Sequence, residues 1–192
     1  MHTLILKGSP RKSGNTNSLV EIFKNEREKS GDKVVDLHLY DMKLKGCIAC
    51  RECQKFSDRF GCPIKDDMQY IFDLALNANL IVLATPIYSW YCTAPMKAVL
   101  DRFVYGMNKY YGEFGDLSLW QGKDLAVITT FGYGINKGPD LFEEGIKRYC
   151  RHSKLNYKGM LGHRHLGYGS KFMDEEKIKS VVEFADFLNK GC

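Results

Sequence analysis

A chain of 192 residues with 44% hydrophobic content suffices for one sizeable core and not comfortably for two, so one domain over residues 1–192 is expected. Its 28 lysines and arginines against 23 aspartates and glutamates leave a net charge of +5, too modest and too evenly spread to signal nucleic-acid binding by itself and suited to an anionic small molecule. No stretch reaches the roughly 20 apolar residues of a membrane span, and the start MHTLILKGSP lacks the layout of a secretory signal. Seven cysteines, an odd number, speak for free thiols, metal ligands or redox chemistry in a reducing compartment rather than a disulfide framework. The expectation is a cytoplasmic protein with no nucleic-acid or membrane partner.

Short apolar runs alternate with longer amphipathic segments along the chain. TLILK, residues 3–7, reads as a buried strand, GSPRKSGNT as a loop, and residues 17–29 as a helix with Leu19, Val20 and Phe23 on its apolar stripe. Residues 34–39 form a second strand. GCIACRECQKFSDRFGC, residues 46–62, then carries four cysteines spaced C-x2-C-x2-C-x8-C as a cysteine-rich insert. Asp66 or Asp67 is placed to cap a helix through Met68, Ile71, Phe72 and Leu76, because an aspartate oxygen takes up free N–H groups of a first turn.

LIVLAT at 80–85 is the most strand-like stretch, and Pro95 opens the helix PMKAVLDRFVYG, where its missing N–H is harmless. The connection 108–122 is long enough to be functional rather than a plain turn. LAVITTF at 125–131 is a fourth strand, 138–154 holds a helix, 155–167 a fifth strand, and 174–190 a closing helix with an acidic first turn. Five strands alternating with five helices imply an α/β fold with a parallel, doubly wound sheet covered on both faces. Ligands of such sheets bind beyond the carboxyl ends of the strands, at the switch point.

The loop after strand one brings the hydroxyls of Ser9, Ser13 and Thr16, the amides of Asn15 and Asn17 and the guanidinium of Arg11 to a helix start. That donor set suits a phosphate monoester, and equally a turn that only caps the helix. A nucleotide-hydrolysis loop is absent: Gly8 and Gly14 have five residues between them, and Asn15 rather than a lysine follows. GYGINKG at 132–138 lacks the dinucleotide glycine spacing. After strand three, TPIYSWYCTAP has Pro86 hold the backbone off the sheet and offers Tyr88, Trp90 and Tyr91 to a flat ring, a composition shared with core or subunit-interface loops. The glycines of TTFGYG after strand four permit close backbone approach to a ligand.

Three cysteines at three-residue intervals can turn their sulfurs toward one centre, and a fourth completes four thiolates. An iron–sulfur cluster, a structural zinc, and thiols that pack or oxidise reversibly are the three readings. Lys45, Arg51, Lys55, Arg59 and Lys65 around them favour thiolates or are solvated surface charge. His163 and His165, two apart, share a strand face and are expected to be exposed. Asp101 and Arg102 are expected to anchor the helix and sheet edge, and Cys92, Cys150 and Cys192 to be unpaired.

GSPRKSGNT, ATPIYSW, MKAVLDRF, GC-x2-C-x2-C and the following C-x3-DDM together resemble the flavodoxin-like NAD(P)H-dependent FMN reductase family, in the cysteine-containing branch that includes the iron–sulfur flavoproteins. The resemblance runs from strand one through the helix after strand three. It implies a flavodoxin-like sheet of order 2-1-3-4-5 and FMN with its phosphate on Ser9, Arg11, Ser13, Asn15, Thr16 and Asn17. The isoalloxazine ring would lie against Pro86, Ile87, Tyr88, Ser89 and Trp90, with Thr130, Phe131 and Gly132 on its polar edge. NAD(P)H is the implied co-substrate, giving a hydride to flavin N5 and onward to a small-molecule electron acceptor such as a quinone, flavin, ferric or nitro-aromatic compound. The flavin carries that chemistry, so no catalytic side chain is named.

The resemblance further implies a homodimer or homotetramer, with the 108–121 connection suited to the interface. It makes Cys47, Cys50, Cys53 and Cys62 the candidate ligands of a [4Fe-4S] cluster, with a last spacer of eight residues that is longer than in the iron–sulfur flavoproteins. Two other functions stay open beside the reductase: an electron carrier serving a protein partner, and a non-catalytic redox-sensing protein.

Overall fold

The computed structural model describes residues 1–167 and 169–189, so the expectation for Cys192 and the last residue of the predicted closing helix lie outside the described residues. Five parallel strands stand in the order β2-β1-β3-β4-β5. They are β1 (His2–Lys7), β2 (Lys33–His38), β3 (Leu80–Pro86), β4 (Asp124–Phe131) and β5 (Asn156–Arg164). The helices are α1 (Asn15–Lys29), α2 (Met68–Asn77), α3 (Ala94–Met107), α4 (Asp140–Ser153) and α5 (Glu175–Asn189). This is the flavodoxin-like order that the resemblance implies.

The central strands are mostly apolar because both faces of the sheet are covered. Side chains alternate across a strand, so Leu4 and Leu6 of β1, Ile81 and Leu83 of β3, and Leu125 and Val127 of β4 join a core with α2, α3 and α4. Ile5, Val82, Ala84, Ala126 and Ile128 point the other way, onto α1 and α5 through Leu19, Val20, Phe23, Val181 and Ala185. Pro86 remains in the β3–β4 ladder, opposite Thr130, so the loop leaves the sheet one residue later than expected.

The edge strand β5 carries a bulge: Leu125 faces Tyr157 while the next residue, Ala126, faces Gly159. Gly159 takes a positive φ of 115°, which glycine adopts without strain. The extra residue lets Tyr157 and Met160, three apart, both pack on the α4 side.

At the amino ends of the strands a buried ion pair ties three elements together. Arg27 of α1, fully buried, holds Asp32 at 2.6 Å. Asp32 also takes the hydroxyl of Thr3 at 2.7 Å and the amino terminus at 3.2 Å. Burial alone would raise the Asp32 carboxyl, but the hydrogen bonds from Thr3, Arg27 and the terminal amine outweigh it and hold it below its ordinary value. Arg27 reaches the carbonyl of Ala185 in α5 as well. No helix among the described residues is long and apolar enough to cross a membrane.

Candidate functional site

The carboxyl ends of β1, β3 and β4 open into a cleft of about 260 Å³. Three segments line it: Ser9, Arg11 and Gly14–Thr16 after β1; Pro86, Ile87 and Tyr88 at the end of β3; and Thr130, Phe131 and Gly132 at the end of β4. His165 and Gly167, just past β5, close the far side.

The first loop is held by its own polar atoms. The Ser9 hydroxyl donates to the Arg11 carbonyl and accepts from the Arg11 amide, at 3.2 and 3.3 Å. Buried Asn17 donates from Nδ2 to the carbonyls of Arg11 and Lys12, at 3.0 and 2.9 Å. Helix α1 starts at extended Gly14 with no side-chain cap, so the N–H groups of its first turn face outward with the positive end of the helix dipole. The Thr16 hydroxyl meets that of Thr130 at 2.7 Å, which locks the start of α1 to the end of β4.

The second loop is pinned from below. Thr93, at the start of α3, donates its hydroxyl to the Gly8 carbonyl at 2.7 Å, and an added Cβ on Gly8 would stand 2.9 Å from that hydroxyl. Tyr88 and Tyr91 exchange backbone hydrogen bonds across Ser89 and Trp90, which adopt positive φ of 49° and 63°. That is a two-residue hairpin turn of the kind glycine or asparagine usually supplies, here built from residues that pay strain for it.

The structure redistributes the aromatic residues of this loop. Tyr88 stays at the cleft. Trp90 turns away, donating from Nε1 to the Lys137 carbonyl at 3.1 Å and stacking on Tyr133 with ring centres 5.9 Å apart. Tyr91 packs edge-on against Phe142 of α4. Of the expected site residues, Ser9, Arg11, Asn15, Thr16, Pro86, Ile87, Tyr88, Thr130, Phe131 and Gly132 converge on the cleft. Ser13, Asn17, Ser89 and Trp90 do not line it: Asn17 braces the loop, and Ser89 and Trp90 form the turn.

His165 is the residue that sequence reasoning passed over. Its partner in the predicted pair, His163, is still in β5 and meets the Ser180 hydroxyl of α5 at 2.7 Å, half-buried rather than exposed. β5 ends at Arg164, so His165 leaves the strand, bonds its N–H to the Phe131 carbonyl at 2.8 Å and enters the cleft wall. No local signal marked it, because the predicted fifth strand, 155–167, runs past it.

The four insert cysteines form a second locus. Cys47, Cys50, Cys53 and Cys62 all face one small apolar cavity, beside Phe60 and Tyr105. Cys47 and Cys50 are exposed, Cys53 is buried and Cys62 is partly buried. Among the described residues no three histidine, cysteine or acidic side chains are gathered so as to hold a metal ion. The buried half is firmly held: Gln54 donates to the carbonyls of Tyr105 and Asn108 at 2.5 and 2.9 Å and accepts from the Tyr111 amide at 3.0 Å.

Two buried cations flank these sulfurs. Lys109 donates to the carbonyls of Cys53 and Arg59 at 2.8 and 2.9 Å, and burial pushes its amine down to about 8. Burial pushes the Cys53 thiol up, against the pull of Lys109. Arg102 of α3 donates from Nη1 to Asp66 at 2.5 Å and from Nη2 to the Cys62 sulfur at 3.2 Å. Asp66 therefore does more than cap α2: it accepts from the Met68 amide at 3.2 Å, but also from the Lys45 amide at 2.9 Å and from Arg102. Asp67, whose side chain makes no cap bond, takes the Lys43 amide at 2.7 Å instead. Asp101 pairs with Lys97, so the expected anchoring by Arg102 runs through Asp66.

Residues 1–138 match the family model of NADPH-dependent FMN reductase. The chain belongs to this family. An iron-sulfur flavoprotein of Archaeoglobus fulgidus is 33% identical over 132 residues, 69% of this chain and 56% of that one. An FMN-dependent NADH:quinone oxidoreductase 2 of Clostridium acetobutylicum is 29% identical over 140 residues, 71% of this chain and 67% of that one. The matches span about half the length of the iron-sulfur flavoproteins, 56, 51 and 48% for three of them. Among solved structures, an FMN-dependent NADH-azoreductase of Bacillus anthracis in complex with FMN superposes with a TM-score of 0.72 over 98% of this chain and 99% of that one, at 17% identity. A flavodoxin from Archaea superposes at 0.59. At such identities these two establish the shared fold of this FMN reductase family member and nothing finer.

Proposed function

We propose that the cleft binds FMN and that the protein is an oxidoreductase passing a hydride from NAD(P)H to a small acceptor such as a quinone, flavin, ferric or nitro-aromatic compound. The reading treats residues 1–192 as one FMN-binding domain with an insert at 46–62. One observation carries it: three loops converge at the switch point on a helix start whose N–H groups have no side-chain cap. The residues present fit the group. The uncapped first turn of α1 and the exposed Arg11 guanidinium are the donors a phosphate dianion needs, with Ser9 and Thr16 bracing the loop around them.

Pro86, Ile87 and Tyr88 offer an apolar wall for a flat ring, and the backbone at Thr130–Gly132 offers polar groups along one edge. Bound FMN would accept a hydride at N5 and return two electrons to the acceptor. The chain's own residues bind and orient: Thr16 and Thr130 fix the angle between the phosphate loop and the ring wall, and Tyr88 screens the ring from water. The exposed Tyr88, Trp90, Tyr133 and Leu166 rim would suit a homodimer or homotetramer interface beside the cleft.

A second centre is supported by the four cysteines facing one cavity and by relatives bearing the iron-sulfur flavoprotein name. Four thiolate donors suit a [4Fe-4S] cluster. The cavity is about 20 Å³, room for about one water, so the exposed Cys47 and Cys50 arm would swing outward to admit it while Cys53 and Cys62 stay held. Ala49 and Arg51 in that arm take left-handed φ of 54° and 61°, backbone strain that such a rearrangement would release.

The test is purification without oxygen, then a visible spectrum with FMN, iron and sulfide analysis, then NADH and NADPH oxidation with a quinone. Flavin bands and turnover are expected. A protein that neither retains nor takes up FMN would end the proposal.

A further inference from the structure

Arg102 sits in an unusual place for a charged side chain. It is 2% exposed, its Asp66 partner is equally enclosed, and its Nε has no hydrogen-bond partner. An ion pair alone would need one edge of the guanidinium, and Asp66 takes only Nη1. The remaining Nη2 is aimed at the Cys62 sulfur at 3.2 Å, and the face of the group lies over the Phe60 ring, 5.4 Å from its centre. A planar fork can hold a carboxylate and a sulfur at once in fixed directions, which a lysine ammonium does not do.

We propose that Arg102 is a positioning residue that sets the reduction potential of the centre held by Cys47, Cys50, Cys53 and Cys62. The inference rests on the cluster reading above. Hydrogen bonds to ligand sulfurs and nearby positive charge favour the reduced form, because an added electron increases the negative charge on those sulfurs. Arg102 supplies both from a buried position, where its charge is weakly screened. Asp66 fixes its direction and cancels part of its charge. Lys109, bound to two carbonyls rather than to a carboxylate, adds positive charge on the Cys53 side without a sulfur contact.

The experiment compares the full chain with Arg102→Met/Asp66→Asn, which removes both buried charges together, and with Arg102→Lys. All are purified or reconstituted without oxygen, checked by circular dichroism and by iron and sulfide content, and titrated by visible absorbance and electron paramagnetic resonance. The double variant is expected to favour the oxidised cluster about tenfold more, a shift of about 59 mV to lower potential for one electron. Arg102→Lys should fall between. The potential of bound FMN, read in the same titration, should not move. Equal cluster potentials in proteins with full iron and sulfide would overturn the inference and leave Arg102 a clamp for the loop. A folded double variant that takes up no iron would overturn it too, making Arg102 an assembly residue. Absence of iron and sulfide from the wild-type protein would sink the cluster reading itself, and with it this role.

Discussion

The cleft and the cysteine pocket are built in opposite ways. The cleft is made by short loops at the ends of adjacent strands, braced by small hydroxyls such as Ser9, Thr16, Thr93 and Thr130, and the first-turn N–H groups of α1 stay open to a ligand. The pocket is an insert after β2, held from a distance by long buried polar side chains: Gln54, Lys109, and Arg102 with Asp66. The first inherits its geometry from the sheet. The second depends on a few long-range contacts, so it is the more fragile of the two and the easier to remove without touching the other.

The largest effect that sharpens this contrast is expected from Asp66→Ala. It leaves the Arg102 charge buried without a partner, which costs about 3–5 kcal/mol, read as a lower midpoint in denaturant unfolding. FMN affinity of the folded fraction should stay within about threefold of wild type. Strong loss of FMN binding would show that pocket and cleft are one unit.

Next in size is acid sensitivity at a place remote from both. Asp32 is held below its ordinary value in the folded state, so its stabilisation is complete above the unfolded value of about 3.9 and disappears as pH falls through the folded one. Asp32→Asn should therefore cost about 2–3 kcal/mol near pH 7 and progressively less below pH 4. A difference from wild type that does not shrink with acid would contradict the assignment.

A smaller effect is expected at the cleft itself. Arg11→Ala removes one exposed charge-assisted hydrogen bond, about 1.5 kcal/mol or roughly tenfold in the FMN dissociation constant by fluorescence titration. Riboflavin, which lacks the phosphate, should bind both proteins alike. Smallest of all, Ser89→Gly relieves the left-handed turn residue and should stabilise the fold by about 0.5–1 kcal/mol, seen as a slightly higher melting temperature.

Much of the first region was legible in the sequence and much of the second was not, for the same physical reason. Strand runs such as LIVLAT and the hydroxyl-rich turn after β1 are local patterns, and a parallel sheet brings loop ends together by rule. Trp90 was misplaced because its stack on Tyr133 and its bond to Lys137 lie more than forty positions along the chain. Asp66 read as a helix cap because a cap is local, whereas its Arg102 partner is 36 residues away. His163 and His165 looked like one face because the end of β5 at Arg164 is set by pairing with β4.

The sequence by itself determined the order of strands and helices, the two-faced apolar sheet, the family, and the loops that meet at the switch point. The elements and loops follow from periodicity and from turn chemistry, which act over a few residues, and the family follows from the resemblance of its motifs. Only the tertiary structure decided which aromatic residue faces the cleft, which histidine joins it, and that a buried arginine points at a cysteine sulfur. Such choices are made by burial and by the cost of leaving an enclosed polar group without a partner, and the partner is named by the fold.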